Sequence, residues 1–289
     1  MFATLTNEYL SVSVKETGAE LTSIRSILHD VEYLWQASVD VWPRHAPVLF
    51  PIVGKLKNNQ YTHNGSIYSL SQHGFARDKI FYLKDHSNAY LKYVLEYDEE
   101  TLKVYPFFFR LEICYHLIGC CVHVEYNIVN LDTEQDMFFS IGGHPAFRWP
   151  LFDNDDEHSY YLEFNKTTSL KTQCISQGMR NGEIRPIELV NNILPLNKKL
   201  FENDALVLSD LGCDSVAFKC HHHKHGVIVN FKGFPYLGIW SKPGPFLCIE
   251  PWHGIADHQQ HNGELKNKEG IQLLKPHQTF TCRYTLEFH

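Results

Sequence analysis

"FRLEICYHLIG" (109–119) and "CVHVEYNIVN" (121–130) carry the clearest indication of the fold class. Apolar and polar residues alternate along both stretches, which is the period of a strand with one face on a core. The same alternation occurs in YLSVSVKE (9–16), YLKYVLEY (90–97) and HGVIVNFKG (225–233). The 15 Tyr and 19 Phe residues also favour sheet.

Turn signals such as Asn-Gly pairs and KPGP (242–245) separate these stretches. Only GAELTSIRSI (18–27) and LFENDALVLSDL (200–211) carry weak helical spacing. Short strands with Gly and Pro turns, without a regular alternation of strand and helix, predict an all-β sandwich or barrel. The segment 152–204 is the most loop-like, and we interpret it as an excursion within a single domain, 1–289.

Composition restricts the classes of protein that the sequence fits. The chain has 289 residues, 44% hydrophobic and 20% charged, so it can bury a full core. The formal charge is −7 without clusters of Lys and Arg, which argues against nucleic acid and favours a small or neutral partner. No apolar run is long enough to span a bilayer, and no signal peptide is predicted. The 8 cysteines show no CxxC spacing, which fits reduced thiols and a cytoplasmic protein.

Four stretches combine turn residues with side chains that can do chemistry. Glycine frees the backbone and proline removes a donor, so a polar side chain between them is presented to its surroundings. The stretches are RHAPVLFPIVGKL (44–56), SQHGFARD (71–78), GGHPAF (142–147) and FLCIEPWHGIAD (246–257).

Glu250 and His144 are the candidates for proton transfer. Glu250 ends a run that is apolar on both faces, where burial raises a carboxyl pKa and makes it a usable base near neutral pH. The alternative for Glu250 is a structural ion pair with an arginine. For His144 and His73 the alternative is a turn histidine bonded to the backbone. Arg77 has the alternative of pairing only with the neighbouring Asp78.

The tract CHHHKHG (220–226) is typical of metal binding by composition, but strand geometry would put its histidines on opposite faces. We therefore predict an exposed loop. No HExxH motif occurs, and no metal is predicted. Trp149, Trp240 and Trp252 are interpreted mainly as core residues, although an aromatic ring also stacks well on the apolar face of a sugar.

The motifs FPIVGKL, QHGFARD, GGHPAF, GIWSKPG and CIEPWHG, in this order, resemble the aldose 1-epimerase (galactose mutarotase-like) family, specifically its LacX-like branch. The resemblance extends over nearly the whole chain. It implies a large antiparallel β-sandwich of the galactose mutarotase-like (supersandwich) type. This agrees with the alternation of the strands.

The resemblance also implies roles for three residues. His144 is expected to be the general acid that protonates the ring oxygen of a cyclic sugar. Glu250 is expected to be the general base that takes the proton of the C1 hydroxyl, and His73 to hold the sugar by a hydrogen bond. No cofactor is expected. An ionised Glu250 and a protonated His144 predict a bell-shaped pH profile, with Glu250 on the acidic limb and His144 on the alkaline limb.

Four further residues are predicted to bind the substrate. Lys55 stands where galactose mutarotases have an arginine, and it lacks the bidentate fork. Asp204 matches the family's sugar-gripping aspartate only loosely. Arg77 is typical of the LacX-like branch, and Trp252 follows the proposed base.

The sequence thus predicts a mutarotase that interconverts the anomers of a hexose, as a monomer or homodimer without membrane or nucleic-acid partners. One alternative is a hexose-6-phosphate epimerase, with Arg44, Lys55 and Arg77 as phosphate contacts. Another is a carbohydrate-binding or sensor protein without catalysis. A metal-dependent cupin-like enzyme would need histidines that converge in one barrel.

Overall fold

The computed structural model describes residues 2–167 and 169–289, and its strands confirm the all-β prediction. The strands in chain order are β1 (Phe2–Thr6), β2 (Leu10–Lys15), β3 (Glu20–Ser26), β4 (Val48–Leu49), β5 (Gln60–His63), β6 (Ser66–Ser69), β7 (Tyr82–Ser87), β8 (Tyr90–Glu96), β9 (Phe109–Ile118), β10 (Cys121–Asn130), β11 (Met137–Phe139), β12 (Ile141–Gly143), β13 (Ala146–Arg148), β14 (Tyr160–Phe164), β15 (Ser169–Ser176), β16 (Met179–Glu188), β17 (Ile193–Pro195), β18 (Leu206–Ser209), β19 (Ser215–Cys220), β20 (Val227–Asn230), β21 (Tyr236–Trp240), β22 (Phe246–His253), β23 (Gln272–Leu274) and β24 (Thr279–Phe288).

Two large antiparallel sheets dominate the molecule. The 9-stranded sheet has the order β17-β14-β19-β20-β24-β10-β9-β8-β7. The 8-stranded sheet has the order β16-β15-β18-β21-β22-β12-β4, and β13 also pairs with β22. Smaller sheets are formed by β1–β3, by β5 with β6 and by β11 with β23.

The two sheets face each other across a shared core. Strands β9 and β10 alternate as predicted, with Leu111, Ile113 and Val124 buried in the core. A side chain at Gly143 of β12 would come within 2.8 Å of the Tyr284 hydroxyl on β24, so glycine permits close contact between the sheets at this point. The core cluster extends from Ala3 to Phe288, which supports, as a proposal, the single domain 1–289.

Some sequence-based expectations for local structure were wrong. Residues 20–26 within GAELTSIRSI form β3, and LFENDALVLSDL ends in β18, because burial of alternate side chains outweighs weak helical spacing. The loop-like segment 152–204 instead provides strands to both large sheets.

Helical structure is sparse in the described residues. The α-helix α1 (Glu99–Val104) begins with a capping box, in which Asp98 accepts from the Thr101 backbone N–H and the Thr101 side chain accepts from the Asp98 N–H. Short 3-10 helices cover Lys57–Asn59, Ala76–Asp78, Glu157–Ser159, Lys198–Phe201 and Leu265–Asn267. Within the described part of the chain, no helix has the length and apolar character needed to cross a membrane.

Candidate active site

The side chains of strand β22 lie in two different environments. Leu247 and Ile249 pack in the core between the large sheets, whereas Cys248, Glu250 and Trp252 lie on the opposite face. Every residue of β22 except the last is buried, as the apolar sequence predicts. Glu250 is therefore a carboxyl group held in an apolar strand, with only 1% of its surface exposed.

The register of the sheet brings His144 to Glu250. Strands β12 and β13 pair with β22 on either side of a break, with Gly142 opposite Trp252 and Ala146 opposite Cys248. His144 lies in that break, directly across from Glu250, because Pro145 interrupts the ladder. The His144 Nε2 atom lies 3.1 Å from Glu250 Oε2. This close contact does not have the geometry of a hydrogen bond.

Aromatic rings surround the His144 imidazole. Trp42 stacks on it with ring centroids 5.0 Å apart. Trp240 and His73 meet it edge-on at 5.8 and 5.7 Å. These rings fix the direction of the imidazole and exclude water from it.

Burial shifts both pKa values of the pair toward the neutral forms. It lowers the pKa of His144 to about 3, and the charges of Arg77 and Arg44 lower it further. Burial also raises the pKa of Glu250 well above its ordinary value, and the charge of Asp204 adds to that rise. These directions favour the opposite assignment of the two limbs of the pH profile from the one expected from the sequence, and the profile stays a prediction.

His73 is held in a strained turn beside the pair. Its φ is +68°, and its backbone N–H donates to the Gly54 carbonyl at 2.9 Å. The Gly54 N–H donates to His73 Nδ1 at 3.2 Å, so the proton of the neutral ring is on Nε2, which lies 3.2 Å from the Gln72 side-chain amide. Burial, together with His144 and Arg77, lowers the pKa of His73 well below its usual range. His73 is therefore a neutral hydrogen-bond donor.

Arg77 reaches the same site from the following 3-10 helix. Its Nη2 donates to the Gln72 carbonyl at 2.7 Å, while its Nε lies 3.8 Å from Asp78. Asp78 is instead paired closely with Arg44, at 2.8 Å. The interpretation of Arg77 as only a partner of Asp78 therefore does not describe its position.

These side chains line a cavity of about 870 Å³, which is ample for a sugar. The lining includes six of the seven predicted site residues, which are His73, Arg77, His144, Asp204, Glu250 and Trp252. All lining residues are Trp42, Gly54, Gln72, His73, Arg77, His144, Ile175, Gly178, Lys198, Lys199, Phe201, Glu202, Asp204, Ala205, Val207, Trp240, Ser241, Lys242, Pro243, Glu250, Trp252 and Ala256.

Trp240, which the sequence placed mainly in the core with sugar stacking as its alternative, also lines the cavity. The cavity thus collects side chains from four separate motifs of the sequence. The turn chemistry of SQHGFARD, GGHPAF and FLCIEPWHGIAD predicts that they meet in one cleft, and the pairing of the strands brings His73, His144 and Glu250 together there.

Trp252 forms a flat wall of the cavity, because glycine stands on both strands that flank it. A side chain at Gly142 would come within 2.6 Å of the Trp252 ring, and one at Gly238 within 2.4 Å. The indole therefore lies across the backbone of its neighbours. Asp204 faces the same cavity from a backbone with φ +88°, and its carboxylate accepts from the Ala205 N–H at 2.7 Å.

Lys55 is the predicted substrate-binding residue that the structure does not bring to the cavity lining. Its ammonium donates to the Gln177 carbonyl at 3.0 Å, at the turn between β15 and β16. Its side chain lies 3.0 Å from the position of a Cβ on Gly178, which does line the cavity. Lys55 therefore lies next to a residue that lines the cavity but does not line the cavity itself. A role in substrate binding stays a prediction.

Several lining residues were missed by the sequence analysis. Trp42 lies in an irregular segment with no motif of its own, and only its contact with His144 shows its importance. Gln72 precedes His73 directly, so its position in SQHGFARD was an available signal. Lys198 donates to the Gly244 carbonyl at 2.7 Å and lies over the Trp149 ring, which is otherwise a buried core residue as predicted.

Three neighbouring residues at this site have side chains of the types that bind metal ions. Ligand atoms of His144, Cys248 and Glu250 lie within 4.8 Å of one another. Burial raises the pKa of the Cys248 thiol well above its usual range, as it does for Glu250, so the forms that bind metal are disfavoured here. The absence of a metal requirement stays a prediction.

Comparison with known proteins assigns the chain to a family. A family model described as aldose 1-epimerase matches residues 1–287. The chain belongs to the aldose 1-epimerase family. Membership supports a sugar epimerase or mutarotase function and an enzyme of the isomerase class.

The similar proteins extend over the full length of this family member. Protein LacX of Lactococcus lactis subsp. lactis is 32% identical, covering 98% of this chain and 97% of that protein. A galactose mutarotase related enzyme from Lactobacillus acidophilus has a TM-score of 0.96 at 35% identity, with 100% and 97% of the two chains covered. A galactose mutarotase-like protein from Lactobacillus casei ATCC 334 has a TM-score of 0.93 at 31% identity, with 100% of both chains covered. These comparisons confirm the resemblance and the galactose mutarotase-like sandwich.

Proposed function

We propose that this aldose 1-epimerase family member interconverts the α and β anomers of a hexose, with His144 as general acid and Glu250 as general base. The observation that carries the proposal is the contact of these two groups, 3.1 Å apart in a cavity of sugar size. Both atoms that react in mutarotation, the ring oxygen and the C1 hydroxyl oxygen, are bonded to the same carbon. Two proton carriers in contact with each other can therefore reach both.

The reaction needs two proton transfers in each direction. The imidazolium of His144 gives its proton to the ring oxygen while the carboxylate of Glu250 takes the proton of the C1 hydroxyl. The bond between C1 and the ring oxygen breaks, and the open-chain aldehyde rotates about its C1–C2 bond. Closure on the other face reverses both transfers. Each positioned group contributes on the order of 10²–10⁴-fold.

Burial favours the neutral forms of both groups, so the ion pair that starts ring opening is the less populated arrangement of the shared proton. After ring opening, His144 is neutral and Glu250 carries a proton, and these are the forms that their shifted pKa values favour. Before ring opening, the single proton that the pair shares is on His144, and Glu250 is a carboxylate. The pair therefore never gains or loses net charge during the cycle. A site that is closed to water can support this chemistry.

The remaining cavity residues suit recognition of hydroxyl groups. His73 offers an Nε2–H and Arg77 a cluster of donors, whereas Asp204 offers acceptors. The indole of Trp252 provides an apolar surface for the face of the ring. Lys55 would have to leave the Gln177 carbonyl in order to take part.

We propose further that the reaction needs no cofactor and that the protein acts in the cytoplasm as a monomer or homodimer. The acid and base that the chemistry requires are both supplied by the chain. All 8 cysteines are free thiols in the structure, which supports a reducing compartment.

A hexose 6-phosphate is the second candidate substrate, because four cationic residues line the cavity: Arg77, Lys198, Lys199 and Lys242. Two of the phosphate contacts expected from the sequence, Arg44 and Lys55, are not among the lining residues. Lys199 and Lys242 would have to replace them.

Anomer exchange measured by NMR tests the proposal. Purified protein is added to glucose, galactose and their 6-phosphates, each started from one anomer or followed by exchange at equilibrium. We expect acceleration of at least one free hexose, and acceleration of the phosphates alone would support the second candidate. Binding of sugar without acceleration of any of them would contradict catalysis and favour a sensor.

A further inference from the structure

A second cluster of metal-ligating side chains lies outside the cavity. It contains the histidine tract, which the sequence predicted to be an exposed loop. The structure confirms a loop between β19 and β20, and His221, His222 and Lys224 are exposed. His223 is not, because it turns toward Asp155 in the segment after β13. The prediction of exposure was wrong for this residue.

Three different ligand types converge at this point. Ligand atoms of Asp155, Cys220 and His223 lie within 4.8 Å of one another. His223 Nε2 is 3.0 Å from Asp155 Oδ2, and their side chains are only 16% and 19% exposed. Cys220 is buried at the end of β19. We propose that Asp155, Cys220 and His223 form a Zn²⁺ site that is separate from the catalytic cavity.

The surroundings suit a thiolate and a fixed imidazole. The backbone N–H of His222 donates to Cys220 Sγ at 3.4 Å, and Ser159 Oγ lies 3.2 Å from the same sulfur. The His222 N–H stabilises negative charge on the sulfur, whereas the Ser159 hydroxyl donates to the Asp156 carbonyl at 2.7 Å. Tyr160 donates its hydroxyl proton to Asp155 and so orients the carboxylate, and the same hydroxyl lies 3.1 Å from His223 Nε2.

The ligand set selects the class of metal. A thiolate, an imidazole and a carboxylate together are typical of Zn²⁺, whereas Mg²⁺ and Ca²⁺ take oxygen ligands. Three protein ligands leave the fourth tetrahedral position for water. None of the three residues lines the catalytic cavity. The site would therefore connect the segment before β14 to the loop between β19 and β20, and it would not take part in the reaction.

Calorimetric titration of reduced, EDTA-dialysed protein with ZnCl₂ tests this site. We expect one equivalent of Zn²⁺ to bind, with at least about tenfold weaker affinity in His223→Ala. His222→Ala is the matched control, since it removes an exposed histidine from the same tract and should bind as the wild type does. MgCl₂ should give no binding.

Spectroscopy identifies the ligands independently of stability. Co²⁺ bound at the site should produce a thiolate charge-transfer band in the wild type that is absent in Cys220→Ala. Glu250→Gln should leave the affinity for Zn²⁺ unchanged, because Glu250 belongs to the cluster with His144 and Cys248 and not to the proposed Zn²⁺ site. The proposal is overturned if the wild type binds no Zn²⁺, if His223→Ala binds it normally, or if Glu250→Gln abolishes binding. None of these results depends on anomer exchange.

Discussion

His144 and Glu250 face each other across one register position of a sheet, with Nε2 and Oε2 3.1 Å apart. The strand that carries Glu250 is continuous, whereas the partner ladder breaks at Pro145 between β12 and β13. The break frees the backbone around His144 and leaves the imidazole on the cavity side. The geometry of the proposed acid and base therefore follows from one interruption in an otherwise regular antiparallel sheet.

Removal of either proton carrier should abolish most of the activity. Glu250→Gln keeps the shape of the side chain but cannot take a proton, so we expect kcat to fall by at least about 100-fold, and the same for His144→Asn. The double variant should lose much less than the product of the two single losses, because the two groups act in one relay. The measurement is anomer exchange by NMR.

Glu202→Gln is the matched control, since Glu202 is an exposed acid on the same cavity. Its activity should remain near that of the wild type. Near-normal exchange in folded Glu250→Gln protein would rule out the assigned base. Normal exchange in His144→Asn would move the acid role to His73.

The pH profile should reflect the reversed order of the two pKa values. The active pair carries one proton, and a second proton adds to His144 only near its lowered pKa of about 3. The single proton leaves only above the raised pKa of Glu250. We expect kcat/KM to be constant between these limits, to fall in acid as His144 is protonated and to fall in alkali as Glu250 ionises.

Variants show which group is responsible for each limb. The residual activity of Glu250→Gln should keep the acidic limb and lose the alkaline one. An alkaline limb that persists unchanged in this variant would contradict the reversed order and restore His144 to that limb.

Arg77 should contribute to substrate binding. Loss of a charge-assisted hydrogen bond costs about 1.5–3 kcal/mol, so Arg77→Ala should raise KM roughly 10- to 100-fold. Arg44→Ala is the matched control, because Arg44 pairs with Asp78 and does not line the cavity. Steady-state kinetics with free and phosphorylated hexoses provides the values. An unchanged KM for both in Arg77→Ala would show that Arg77 is structural.

A buried ion pair should dominate the stability of the segment after β22. Lys268 Nζ lies 3.0 Å from Asp257 Oδ1, both side chains are 1% exposed, and the ammonium also donates to the Ile255 carbonyl. Lys268→Ala leaves the carboxylate buried without this partner, so the free energy of unfolding should fall by about 3–5 kcal/mol. Urea denaturation measures the change.

Lys266→Ala removes the same charge two positions earlier from an exposed side chain. Its free energy of unfolding should change by less than about 0.5 kcal/mol. Equal effects of the two substitutions would mean that the pair makes no special contribution.

The strands were predictable from the sequence because burial of one face is a local pattern. Alternate residues of β9 and β10 enter the core, and the period of two is visible without any knowledge of the partners. Within 152–204, β16 is largely exposed and lacks the alternation, whereas β14 and β15 alternate in burial and were overlooked between loop-like stretches.

The candidate site was predictable only in part. GGHPAF and CIEPW identified His144 and Glu250 through turn chemistry and an apolar strand, with their roles implied by the family resemblance. Trp42 carried no such signal, because its contact with the imidazole comes from a segment distant in sequence. Lys55 follows a recognisable motif, but its ammonium is held by a carbonyl of the β15–β16 turn.

The sequence by itself determined the all-β class, the family and the residue types of the proposed acid and base, because these are properties of local pattern and motif. Only the tertiary structure decided which groups meet and how burial shifts their pKa values. Strand register placed His144 against Glu250, and burial lowers the pKa of His144 and raises that of Glu250. The same folding brought Asp155 to His223. Contacts between distant segments, and the loss of water around them, are set by packing of the whole chain.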